Sequence, residues 1–239
     1  MSAQEIKNKL ITLGNPERAR HSSYFFKTAK GQYGYGDKFI GCTVPETRSV
    51  AKQYHGLSLN ENKKLLNDEM HECRLCALFI LTDQFKKANE IGKYELLSFY
   101  LAHTYRVNNW DLVDSSSYKI VGEWLKNRND RSLLYQLADS DLLWDQRIAV
   151  VSTLTFIRNN DFNDILKLSE KFLTHRHDLI HKACGWMLRE VGKRDEAVLT
   201  FFLDEHAAKM PRTMLRYSIE RFHEDLRKHY LNYKNIVGN

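Results

Sequence analysis

LLWDQRIAVVSTLTFIRN, residues 142–159, and HDLIHKACGWMLREVGK, residues 177–193, decide how the chain is read. In both, apolar residues return at steps of three and four, the spacing of an amphipathic helix and not the alternation of a strand. Working outward, similar segments occur near 59–68, 71–89, 91–104, 109–127, 130–139, 161–174, 195–204, 211–222 and 224–233, separated by short polar breaks. The starts of the longer ones fall into one register at Arg74, Asp111, Arg147, Lys182 and Thr213, with separations of 37, 36, 35 and 31 residues. A period near 35 with two helices per unit is the mark of an α-solenoid. The tetratricopeptide pattern of W…LG…Y and A…F…P is absent, so the expectation is an all-α solenoid of HEAT-like helical repeats.

A single domain over 1–239 is expected, with cap helices in 1–56 and repeats in 57–239. The cap reads as a helix over Gln4–Leu13 closed by Gly14-Asn15-Pro16, a second helix over Ser23–Lys30, a glycine-rich loop over 31–41, and a helix opened by Pro45.

Composition agrees. Of 239 residues only 3 are Pro and 11 Gly, too few turn formers for an all-β protein. The longest apolar run, Leu75–Leu81, has seven residues where a membrane span needs about 20. The first residues, MSAQEIKNKL, lack a signal-peptide core, and four Cys do not build a disulfide framework, so a cytoplasmic protein without membrane contact is expected. The net charge of +6 is unevenly placed: residues 1–64 carry +6, 65–204 carry −3 and 205–239 carry +3. Basic ends suit a polyanion, although such a charge also serves solubility.

Three motifs have bland readings. His71 with Cys73-x-x-Cys76 is half of a zinc site without its other half, and Cys76 opens an apolar run, so buried thiols are expected. His177-Asp178-Leu179-Ile180-His181 copies the spacing of the H-E-x-x-H metalloprotease motif, but Asp replaces the general-base Glu. Neither supports a metal, and no cofactor is expected. The loop over 31–41 lacks both nucleotide-binding glycine signatures. With Lys30, Tyr33, Tyr35 and Lys38 it either meets a phosphate chain through backbone N–H groups or links cap to repeats.

Asn108-Asn109-Trp110-Asp111-Leu112-Val113-Asp114 differs. An Asn caps a helix, Asp111 suits the helix dipole, and Trp110 and Asp114 share a face one turn apart, although Trp also packs between repeats and Asp also caps. In the repeat register Trp110, Asp114, Arg147, Trp186 and Arg189 occupy offsets −1, +3, 0, +4 and +7. These offsets share one helical face, so the five are expected along one concave strip. Aromatic faces attract cations, Arg grips phosphate and a carboxylate stabilises developing positive charge. A purine alkylated on a ring nitrogen is already a cationic leaving group, and losing it needs chiefly a stabilised oxocarbenium-like sugar and a placed water.

On NNWDLVDSS (108–116), LLWDQRIAV (142–150), KACGWMLRE (182–190), YFFKTAKGQYGYGDKFIG (24–41) and VPETR (44–48), the chain resembles the bacterial AlkD-type alkylpurine DNA glycosylases, HEAT-like-repeat DNA alkylation repair enzymes. The match runs in order over about the whole chain. The resemblance implies that Trp110 and Trp186 line the deoxyribose of the lesion and that Asp114 stabilises the cationic sugar and positions water. It places Arg147, Arg189, Lys182, Tyr24 and Phe25 on DNA. It further implies excision of cationic N3- and N7-alkylated purines from duplex DNA by a monomer, without cofactor and without flipping the base into a deep pocket. One departure stands out: Phe25 occupies the place where better-known members carry Tyr, with Tyr24 beside it. The alternative is a non-catalytic scaffold that binds nucleic acid or a protein.

Overall fold

The computed structural model describes residues 1–237, with side chains placed through Asn232. The chain is all-α. Among the described residues no strand forms, and the one β-type pairing is an isolated bridge between Lys38 and Met70. No described helix is long and apolar enough to cross a membrane. The chain divides into two compact units, Met1–Ile120 and Val121–Asn239.

The first unit contains α1 (Ala3–Leu13), α2 (Pro16–Phe25), α3 (Val44–Gln53), α4 (Leu59–Leu66), α5 (His71–Lys87), α6 (Glu90–Leu101) and α7 (Trp110–Ser117). Helix α5 is its axis: Cys73 and Leu75–Leu81 are at most 3% exposed, and α3, α4, α6 and α7 pack around it. The second helix differs from expectation. It occupies Pro16–Phe25, not Ser23–Lys30, because Asn15 accepts from the backbone N–H groups of Glu17 and Arg18 and Pro16 sits at the first turn, where it costs no hydrogen bond. Lys27 then adopts a left-handed φ of 57°, which ends any helical continuation.

The second unit holds α8 (Glu123–Leu125), α9 (Ser132–Ala138), α10 (Leu143–Ser152), α11 (Leu154–Ile157), α12 (Asn163–Lys171), α13 (Asp178–Gly192), α14 (Glu196–His206), α15 (Arg212–Ser218) and α16 (Glu224–Val237). Its axis is α13, against which α10, α12, α14 and α15 pack. Gly185 makes the α15 contact possible, because a Cβ there would stand 2.5 Å from Met214 O and from Tyr217 Cβ. The segments expected at 109–127 and 142–159 appear as α7, a π-turn over Tyr118–Gly122 and α8, and as α10 and α11.

Candidate active site

Trp110 opens α7, and its placement is built from behind. Asn109, with no exposed surface, caps the helix, its Oδ1 accepting from Trp110 N at 2.8 Å, while its Nδ2 donates to Asp37 Oδ2 at 3.2 Å. Asp37 comes from the glycine-rich loop. It also receives Arg74 Nη2 at 2.6 Å and His71 Nδ1 at 3.2 Å, and the opposite ring nitrogen, His71 Nε2, lies 2.7 Å from Asp111 Oδ2. Two carboxylates and two cations thus form one buried set behind Trp110.

The set fixes its own charge state. Burial alone would lower the His71 pKa, but Asp111, by charge and by hydrogen bond, and Asp37 outweigh it and raise the ring from 6.5 to about 9. His71 is therefore an imidazolium at neutral pH and donates from both nitrogens. For Asp37, burial pushes upward, while the His71 hydrogen bond and the Arg74 charge prevail and hold it below the usual carboxylate range.

The rings in front are stacked. Phe39 lies on His71 at 4.8 Å between centroids, Phe26 on Phe39 at 5.2 Å, and Trp110 on Phe26 at 5.3 Å with planes 25° apart. Phe25 meets the Trp110 edge at 5.9 Å, and the indole Nε1 donates to Tyr33 Oη at 3.2 Å. Such pairs add about 0.5–1.5 kcal/mol each beyond their area burial and fix ring planes. Asp114 is half-buried one turn along α7 from Trp110, which is half-buried too. The loop is held, not slack: Glu72 accepts from Ile40 N at 2.9 Å, Gly41 N at 2.7 Å and Cys42 N at 3.3 Å, and His71 N donates to Lys38 O. Gly41 is required there, with φ 88° and Asn15 O only 2.1 Å from where a Cβ would sit.

The remaining expected residues lie in the second unit. Trp186 is half-buried on α13 beside Gly185. Lys182 Nζ pairs with Asp178 at 2.9 Å, and Arg189 pairs with Glu220. Both ion pairs are partly in water, where such contacts are worth about 0–1 kcal/mol and yield readily to a phosphate. Arg147 is only 5% exposed, and its Nη1 donates to Leu179 O at 2.6 Å. Arg74, its counterpart in the repeat register, is buried the same way, with Nη1 on Asp68 O and Glu69 O.

The two metal-like motifs are taken up by packing. His177 Nδ1 accepts from Leu179 N as the cap of α13, and His181 Nε2 donates to His175 O. Burial pushes His175 and His177 below the ordinary imidazole value. Cys73 and Cys76 are fully buried, and burial raises both thiols, Cys76 to about 12. No group of three or more His, Cys, Asp or Glu suited to a metal occurs among the described residues.

The profile of the DNA alkylation repair enzymes matches residues 6–222, a span that contains the whole stacked wall, Asp114 and α13. The chain belongs to the DNA alkylation repair enzyme family. Among solved structures, a predicted DNA alkylation repair enzyme from Enterococcus faecalis is similar at 18% identity, with a TM-score of 0.69 over 88% of this chain and 97% of that one. That likeness carries the fold. No curated protein sequence matches.

Sequence reading names Trp110, Asp114 and Phe25 as candidates but not the charged set behind Trp110. Asp37, His71 and Asn109 are separated from their partners by 34 to 72 residues. Asp111, read as a helix-dipole carboxylate, binds His71. The available signal was Asp37 itself, the only acid in the glycine-rich loop.

Proposed function

We propose that the protein is a monofunctional DNA N-glycosylase that hydrolyses the bond between deoxyribose and a cationic N3- or N7-alkylated purine in duplex DNA, the first step of base excision repair. The observation that carries the reading is a half-buried carboxylate, Asp114, one turn from a Trp whose plane is fixed from behind by a stack of rings. Membership of the alkylation repair family supplies the class of lesion.

In this reading the Trp110 face lies against the deoxyribose. The C1′–N bond breaks with its electron pair leaving on the purine, which departs neutral, and positive charge develops on the sugar. Asp114 stabilises that charge and orients a water, whose oxygen bonds to C1′ while its proton passes to solvent. Tyr24 and Phe25 extend the wall toward DNA. In the second unit Trp186 presents a half-buried aromatic side chain, and Lys182 and Arg189 meet phosphates. Arg147 joins them only by way of its small exposed edge.

Asp114→Asn tests the chemistry. The variant should bind methylated duplex about as tightly as the parent and release 7-methylguanine at least about a hundredfold more slowly. Unchanged release would remove Asp114 from the reaction. Duplex binding by the parent with no release of any base would favour the scaffold reading.

A further inference from the structure

Beside Trp110, the end of α2 and the glycine-rich loop form an exposed lip, of which the proposed reaction uses Tyr24 and Phe25 only to extend the wall toward DNA. Tyr24 is 79% exposed, Tyr35 65% and Phe25 53%. The lip is not a loose tail. Gly34 N donates to Lys27 O at 3.1 Å, and the backbone approach is so close that a Cβ on Gly34 would lie 2.3 Å from Phe26 O. Asp37 and Glu72 anchor the far side of the loop through the contacts described above.

Charge on the lip has one sign. From Arg20 to Lys38 the cations Arg20, Lys27, Lys30 and Lys38 are exposed, while the only acid, Asp37, has a side chain 5% exposed and committed to Arg74 and His71. Lys27 Nζ sits 5.4 Å above the Tyr24 ring. Lys38 has an acidic partner, Glu69, with both side chains about 60% in water, a contact worth little. Scattered exposed rings need no explanation, but exposed rings on a held backbone, beside cations of which Lys38 alone has an acidic partner among the described residues, match a polyanion that has flat faces. A protein partner with an acidic surface would satisfy the lysines and leave the rings in water.

We propose that this lip is a nucleobase-stacking site, in which Tyr24 and Tyr35 take an unpaired base of a DNA strand while Lys27 and Lys30 hold its flanking phosphates. The inference uses the DNA-binding part of the functional reading and not the base-release step. Phe25, packed against Trp110, makes the lip continuous with the aromatic wall. A DNA strand on the wall therefore has a place beside it for a base that has lost its pair.

The test uses the full-length chain, a duplex carrying a single unpaired 2-aminopurine, and the same duplex without the bulge. The bulged duplex is expected to bind about tenfold more tightly, with 2-aminopurine emission quenched on binding. Tyr35→Ser and Tyr24→Ser each remove about tenfold of the bulge affinity and the quenching, and leave the salt slope unchanged. The double variant Lys27→Gln/Lys30→Gln instead lowers that slope by about 2 for the bulged duplex. Equal affinity for the two duplexes, or quenching that survives both Tyr substitutions, would overturn the proposal. Release of methylated base from an unbulged methylated duplex is measured alongside. Bulge preference without release keeps the lip and sinks the glycosylase reading, and release without bulge preference does the reverse.

Discussion

Substituting His71 by Gln removes the one titrating cation behind Trp110 and keeps a ring-sized polar group that can still donate. The folded protein raises the His71 pKa from 6.5 to about 9, and at about 1.4 kcal/mol per pKa unit the charged ring contributes about 3 kcal/mol to stability. Because the folded value is the higher one, this contribution is complete below the unfolded pKa of 6.5 and is lost as pH climbs through 9. Integrated between pH 6.5 and 8.5, the loss is about 2 kcal/mol. Other groups titrate there too: the thiols that burial raises from 9.0 begin to cost stability near pH 8.5, and His175 and His177, which burial lowers from 6.5, add stability as pH rises, but both contributions are common to parent and variant. Urea unfolding followed by circular dichroism at half-unit pH steps reads the effect as a falling midpoint. The parent should lose about 2 kcal/mol more than His71→Gln across the window, and the variant should be less stable at pH 6.5 by about 3 kcal/mol because Asp37 and Asp111 lose a charged donor. Parallel pH curves for the two proteins would refute the charged state of His71.

Other substitutions separate structural from functional roles. Gly41→Ala forces a left-handed φ on a residue with a Cβ and drives that Cβ into Asn15 O, so it should cost about 2–4 kcal/mol in a thermal or urea melt; a loss below about 0.5 kcal/mol would mean that the loop moves aside freely. Asn109→Ala removes both the cap of Trp110 and a donor to Asp37, and should cost about 1–2 kcal/mol while shifting tryptophan emission to the red, an unshifted spectrum being the contrary result. Arg147→Gln should act on the fold, with a loss of about 1–3 kcal/mol from the removed charged bond to Leu179 O in a buried place, whereas Arg189→Gln should leave the melting temperature within a degree or two and lower the salt slope of duplex binding by about 1. The opposite pattern would exchange the two roles.

The helices were legible because burial imposes a period: α5, α10 and α13 each carry apolar residues on the faces that their unit covers, and α5 does so almost all round. The second helix starts earlier than expected because Asn15 followed by Pro16, which reads in the sequence as the close of α1, also caps the helix that follows. Trp110 and Asp114 were legible because four residues of helix suffice to place one beside the other. The charged set was not, since a buried ion pair leaves no periodic trace and its members join a loop to two helices. Likewise, the register that aligned Arg147 with Arg74 says which way a side chain starts and not how far it reaches, so the burial of both guanidinium groups came only from packing.

The set behind Trp110 balances two negative groups against two positive ones, three of them almost without exposed surface and Asp111 at its edge. Neutralising any single member leaves an uncompensated charge there, whereas replacing carboxylate and cation together, with matching apolar volume, leaves none. Change in this region is therefore confined to coordinated exchanges: Asp37 can be given up only with Arg74, and Asp111 only with His71. Each exchange ties its element, the glycine-rich loop or the helix that starts at Trp110, to α5, and Asn109 ties the two elements to each other across 72 positions.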